Sequence, residues 1–367
     1  MSEIKVNNIQ SLSGTNGPVV SGITKMASSC AMKIPRGDTA YRGGRGRGIF
    51  GGGYGASSPY PELSALDYVQ IATTGIGYDF GDLTTTGTVS GGTASSTRGL
   101  FFGGRRPGSG TSNIHNTIQY VTISSPGNSF PFGDLSFRPS SGSGASNNKR
   151  AIFAGGYNSI SPYSGPQGAG SGLTNIDYAT IASTGNSSSF GELTTGRSVR
   201  FSASSPTRGV FGSGRTFHSP ATIVRTNVID YVEIATQGNS VDFGDILPSQ
   251  EYVESFFGNA GNSSTRAIIC SGDDAGGSGT DNELSYITLA SKGDAIDFGD
   301  SIDNTAGSGG SGTSNQTRGV YRPASGNTDT ALETTLIATL GNSTAFGDLN
   351  AGRRVYGSLS DAHGGIG

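Results

Sequence analysis

Short apolar blocks alternate along this chain with stretches rich in glycine, serine and threonine, and the same blocks return in the same order. An arginine followed by a small residue and an apolar pair opens RGIFGGG at Arg47, RGLFFGG at Arg98, RAIFAGG at Arg150, RGVFGSG at Arg208, RAIICSG at Arg266 and RGVYRPA at Arg318, with spacings of 51, 52, 58, 58 and 52 residues. Each is followed by a block alternating apolar and polar residues: LDYVQIA, IQYVTIS, IDYATIA, IDYVEIA, LSYITLA and the degenerate TTLIATL. Alternation with period two marks a half-buried strand. Phe-Gly and an acid then close each unit, at Phe80, Phe132, Phe190, Phe243, Phe298 and Phe346. A Ser/Thr-rich run leads to the next arginine, as in RSVRFSASS from Arg197 to Ser205.

This pattern predicts four short strands per unit and six units. Repeated four-stranded units of this period are the signature of propeller blades, which stack around an axis because one blade cannot bury its faces alone. The expected fold is all-β: a six-bladed propeller over residues 47–367, with blades starting near 47, 98, 150, 208, 266 and 318 and strands such as 47–53 close to the axis. RRVYGSLSDAHGGIG, from Arg353, repeats the run that opens a blade, yet no further blade follows it. A C-terminal strand within 353–367 is therefore expected to close blade one and hide edges that would otherwise pair with other chains.

On these residues the repeat resembles the kelch family, whose units combine an apolar strand ending in Gly-Gly, a later tyrosine, an aromatic in the next strand and a basic residue opening the following unit. The pairs Gly52-Gly53, Gly103-Gly104 and Gly155-Gly156, the tyrosines Tyr68, Tyr120, Tyr178, Tyr231 and Tyr286, and the six phenylalanines fill those places. The departure is the absence of tryptophan, with phenylalanine in its stead. The resemblance speaks to architecture, since one fold hosts many unrelated functions.

Composition agrees with a loop-rich β protein. There are 62 glycines and only 14% charged residues, against about 25% in typical domains. An apolar content of 33% would suit disorder, but disorder usually also brings high net charge, and the formal charge is −3. Cys30 and Cys270 are too few for a disulfide framework and read as small packing residues. No apolar run approaches the roughly 20 residues of a membrane-spanning helix, and MSEIKVNNIQSLSG lacks the apolar segment of a secretory leader. A soluble protein with no membrane insertion, not exported by the usual route, is expected.

Candidate chemistry is sparse. His115, His218 and His363 sit in dissimilar surroundings without metal-ligand spacing. There is no nucleophile elbow or P-loop, and GGRGRGIFGGG belongs to the repeat. Asp273, Asp274 and Asp281 could offer oxygen ligands to Ca²⁺ but lack EF-hand spacing, so a solvated loop is the plainer reading. Arg36-Gly37-Asp38 is too short a match to weigh. The acids after Phe-Gly (Asp82, Asp134, Glu192, Asp245, Asp300 and Asp348) either line a pore or bond locally in turns. No catalytic residue, cofactor, metal or nucleic-acid partner is expected. An enzyme is the minor alternative, because sialidase-type propellers carry Trp-containing boxes that this chain cannot have.

Residues 1–46 stand outside the repeats and carry a net +4, leaving −7 on the rest. A basic arm on an acidic body favours docking to an acidic partner or a neighbouring copy. The arm's IKVN start, SGTNGPVV turn and small-residue run resemble the N-termini of tail-fibre and related virion proteins of bacteriophages, particularly those infecting marine cyanobacteria. The units look like repeats in such proteins too. The resemblance implies a virion structural protein, assembled in the host cytoplasm, forming a tail or fibre appendage. The arm would hold it to other virion proteins or to copies of itself through Ile4, Val6, Ile9 and Leu12. The propeller would be displayed toward a host-surface glycan or a protein, with YGASSPYPE (Tyr54 to Glu62) and YNSISPYSGPQ (Tyr157 to Gln167) as candidate sugar contacts. The alternatives are a capsid decoration protein and a non-viral kelch-type carbohydrate- or protein-binding module.

Overall fold

A computed structural model describes residues 46–55, 63–106, 113–157, 172–218, 222–247, 258–270, 282–302, 310–322, 329–355 and 357–366. Among these residues the strands form six four-stranded antiparallel blades of a propeller. In blade two the order from the axis outward is Gly91–Ala94, Arg98–Phe102, Thr117–Thr122 and Phe130–Asp134. Blade one takes its innermost strand from the other end of the chain: Gly357–Ser360 pairs with Arg47–Gly51, Gly48 opposite Ser360 and Gly51 opposite Gly357. A buried ion pair, Arg353 Nη1 to Asp67 at 2.9 Å, joins the C-terminal run to blade one's third strand.

The strands beginning at the repeated arginines are second from the axis, close to it as expected. The innermost place belongs to the Ser/Gly runs, including Ser143–Ser146, Phe201–Ser204 and Ser311–Ser314. Six strands converge there, and bulk is excluded: a Cβ added at Gly92 would come within 2.5 Å of the Ser358 carbonyl. Serine fits because its short hydroxyl satisfies a neighbouring strand, as in Ser143 to Ser202 (2.7 Å), Thr93 to Ser146 (2.6 Å) and Ser311 to Ser358 (2.7 Å).

The hydrophobic core lies between blades rather than within them, because each blade is a single sheet. Leu100, Ile118 and Phe132 of blade two pack on Ala151, Phe153 and Ile181 of blade three, and Val320, Leu332 and Phe346 of blade six close the ring on Val69 and Ile71 of blade one. The six Phe-Gly phenylalanines are at most 4% exposed. The glycine after each sits at a bulge against the next blade's turn, and a Cβ at Gly133 would meet the Gly185 carbonyl at 2.1 Å. The acids that follow lie on the outermost strands and so line no pore; Asp82 accepts from Ser64 Oγ and Asp348 from Thr330 Oγ1.

The two faces of the ring differ. On one, every turn from innermost to second strand between Ala94 and Arg318 has three residues, and every turn from third to outermost strand has seven. On the other, connections from second to third strand run from eight residues in blade six to twenty in blade three. Blade four instead extends its strands to Arg208–His218 and Thr222–Glu233, well past the five- and six-residue strands of the other blades. The constant face is called the turn face below, the variable one the loop face.

The chain's last residues fill the axis at the turn face. His363 Nε2 lies 2.9 Å from the Ala94 carbonyl of blade two, its own carbonyl accepts from Gln316 of blade six, and a Cβ at Gly364 would strike the Ser263 carbonyl of blade five. Asp361 accepts the Arg47 amide of blade one at 2.9 Å. This plug touches blades all round the ring.

Candidate functional site

The repeated arginines carry the contacts that hold blade to blade. Each guanidinium crosses to backbone carbonyls of the next blade: Arg47 to Ile123, Arg98 to Ile181, Arg150 to Ile234, Arg208 to Leu289, Arg266 to Ile337, and Arg318 to Ile71, which completes the circle. In blades one to five the guanidinium also lies over the tyrosine of its own third strand, 4.3–4.9 Å from the ring centroid. That tyrosine in turn meets the Phe-Gly phenylalanine edge-on. The sequence pattern shows the Arg, Tyr and Phe columns; it does not show that they form one stack.

Burial shifts the proton affinity of several interior groups. His115 and His363 are both held at about 4, chiefly by burial, with Arg106 adding to the effect at His115. Burial pushes the Cys270 thiol well up, and nearby Glu333 adds to it. Arg197 and Asp230 form a fully buried ion pair at 2.9 Å. Among the described residues no group of His, Cys, Asp or Glu is placed to hold a metal ion, and no helix is long and apolar enough to cross a membrane.

The site at which the repeat is broken is the turn-face rim between blades six and one. Thr334 occupies the tyrosine position, opposite Val320 as Tyr68 is opposite Ile49. A groove of about 280 Å³ on blade six is lined by residues of that blade, among them Arg318, Thr334, Leu336, Leu340 and Thr344. The corresponding groove of blade three, about 260 Å³, is lined by Tyr178 and by the hydroxyls of Thr180, Ser183 and Thr184, and its arginine is not in the lining. Leu336 and Leu340 are 56% and 61% exposed. The other five units have Gln, Thr, Thr, Glu and Thr at the first position and Thr, Pro, Thr, Gln and Lys at the second.

Across the seam, blade one breaks the pattern too. In blades two to six an Asn or Asp of the seven-residue turn accepts the amide of the preceding blade's Phe-Gly acid, as Asn128 does from Asp82 and Asn342 from Asp300. Ile76 takes that place in blade one and is 60% exposed. Leu336 and Leu340 thus share a groove with Arg318, and Ile76 is exposed on the neighbouring blade.

The anchors Ile4, Val6, Ile9 and Leu12, together with Cys30, the Arg36-Gly37-Asp38 tripeptide and Asp273, Asp274 and Asp281, lie outside the described residues, as does most of both Tyr-rich loops. His218 ends a strand of blade four. No protein-family model matches the chain and no curated protein matches it, so the reading of the site rests on its own geometry.

Proposed function

We propose that this protein is a structural appendage of a bacteriophage particle, in which the N-terminal segment attaches the propeller and the loop face is displayed for binding a host-surface glycan or protein. The observation that carries this reading is the division of labour between the faces. Residues 1–45 join the propeller at Gly46, on the turn face, where loop lengths are constant. The variable connections and the blade-four hairpin stand on the opposite face, where binding loops on a rigid scaffold belong. Among the described residues, seven of the nine exposed large apolar side chains lie on the turn-face rim: Ile76, Tyr78, Phe130, Val241, Ile296, Leu336 and Leu340. Such residues suit a contact with neighbouring protein. The likeness of the leader and of the repeat units to those of phage tail-fibre proteins points the same way. Mass spectrometry of purified particles tests the reading, with immunogold labelling to locate the chain. Its presence at a tail or fibre supports the proposal, its presence over the shell favours a decoration protein, and its absence from particles refutes both.

A further inference from the structure

We infer that the groove on the turn-face rim of blade three is a binding site for a neutral pyranose ring, stacked on Tyr178 and hydrogen-bonded by the hydroxyl and amide groups around it. The groove exists because one repeated side chain is small. Opposite the tyrosine, the first residue of the outermost strand is Tyr78 in blade one, Phe130 in blade two, Val241 in blade four and Ile296 in blade five, but Ser188 in blade three. Tyr78 and Phe130 cover their tyrosines, at 5.6 and 5.7 Å between ring centroids. Ser188 leaves the corresponding face of Tyr178 open to a groove of about 260 Å³. Blade six has a groove for the same reason, Thr344 opposite Thr334, but offers no ring to stack on.

The chemistry of the walls selects the ligand. Arg150, from the second strand, lies over the other face of Tyr178 at 4.7 Å, and Phe190 meets the ring edge-on at 6.0 Å. The platform is therefore fixed before anything binds, and little freedom is lost when it does. Around it stand the exposed hydroxyls of Thr180, Ser183, Thr184 and Ser188, and Asn186, whose Oδ1 accepts the Asp134 amide at 3.0 Å and so leaves Nδ2 as a donor. No charged side chain lines the groove, so the ligand is neutral. A pyranose carries an apolar C–H face, attracted to the negative face of an aromatic ring, and a rim of hydroxyls. Each wall hydroxyl both donates and accepts, which matches a sugar's hydroxyls better than the fixed donors and acceptors of a flat heterocycle. A cavity of about 150 Å³ holds a benzene ring, so this groove admits one sugar ring with its substituents. Blade three lies two places round from blade one, where the chain enters at Gly46, and the groove is on the face opposite the variable loops. The site thus stands apart from the attachment and display reading, and the isolated protein suffices for its test.

Saturation-transfer NMR on the full-length protein, with the methyl pyranosides of glucose, galactose and mannose as probes, reads occupation of the groove. At least one should bind at about millimolar strength, in keeping with a ligand of about a dozen non-hydrogen atoms, with the strongest transfer to the C–H protons of one ring face. Ser188→Tyr, which installs the residue blade one carries, should fill the groove and weaken binding about tenfold or more. Thr180→Leu with Thr184→Leu, the residues blade six carries at these places, changes exposed side chains alone and should weaken binding by a similar factor; it decides the matter if Ser188→Tyr fails to fold. Thr344→Tyr, the same change in blade six, should leave binding as it was. No transfer to any of these pyranosides would overturn the inference, as would transfer undiminished by both blade-three changes or lost with Thr344→Tyr. So would phenol binding in the groove where no pyranoside does, which would assign it to an aromatic side chain of a protein partner.

Discussion

Removing one stacked arginine should weaken the ring measurably, and blade six supplies the control. Arg98 donates to the Ile181 carbonyl of blade three at 2.8 Å and lies 4.4 Å from the centroid of Tyr120. A hydrogen bond from a charged donor contributes about 1.5–3 kcal/mol, and partial exposure places this one at the low end. The stack adds about 0.5–1 kcal/mol at a half-exposed site. Arg98→Ala should therefore destabilise by roughly 2 kcal/mol. Among the described residues no ring lies over Arg318, which makes two longer bonds, so Arg318→Ala should cost about 1 kcal/mol less. Urea unfolding followed by circular dichroism reads the difference as a shift of midpoint at unchanged slope. Arg98→Lys keeps the charge but loses the planar fork and should recover only part of the loss. Equal costs for the two alanine variants, or no cost for Arg98→Ala, would refute the blade-to-blade role assigned to the stack.

Three further outcomes follow from the packing. Gly133→Ala places a Cβ 2.1 Å from the Gly185 carbonyl and should cost about 1–3 kcal/mol by overpacking, whereas a Cβ at Gly77 comes no nearer than 3.3 Å to the Asp348 carbonyl and Gly77→Ala should cost less; thermal melts that rank them the other way would contradict the bulge argument. His115 and His363 are held at about 4, below their ordinary 6.5, so the unfolded chain binds protons that the fold refuses. Stability should be full above pH 6.5 and fall as pH drops toward 4, by up to about 3 kcal/mol per histidine, with His363→Gln flattening the slope; a melting temperature unchanged across that window would count against it. A chain ending at Asn350 lacks blade one's innermost strand and the axial plug, and should melt lower or aggregate through the exposed edges, as light scattering would show.

The six-fold repeat made the architecture legible in the sequence, because Arg and Phe recur in every blade and Tyr in five of the six, and each has a structural task. Radial order was less legible. Apolar runs such as RGIFGGG look like the interior of any fold, but the axis of a propeller is too crowded for them, and Gly and Ser occupy it instead. The seam was the hardest feature to see. TTLIATL reads as decay of a repeat, and only ring closure brings Arg318 of that unit onto Ile71 and Ala72, beside the first described residue, Gly46. The acid after Phe-Gly was ambiguous for a related reason, since its place on the outermost strand depends on which strand is innermost.

The central claim, that the N-terminal segment attaches and the propeller displays, is tested most directly by deleting residues 1–40 from the gene in its native context and measuring copy number in purified particles. The account predicts that the truncated chain folds with an unchanged melting temperature in isolation and is missing from the particles. A truncated chain incorporated at the normal copy number would contradict it.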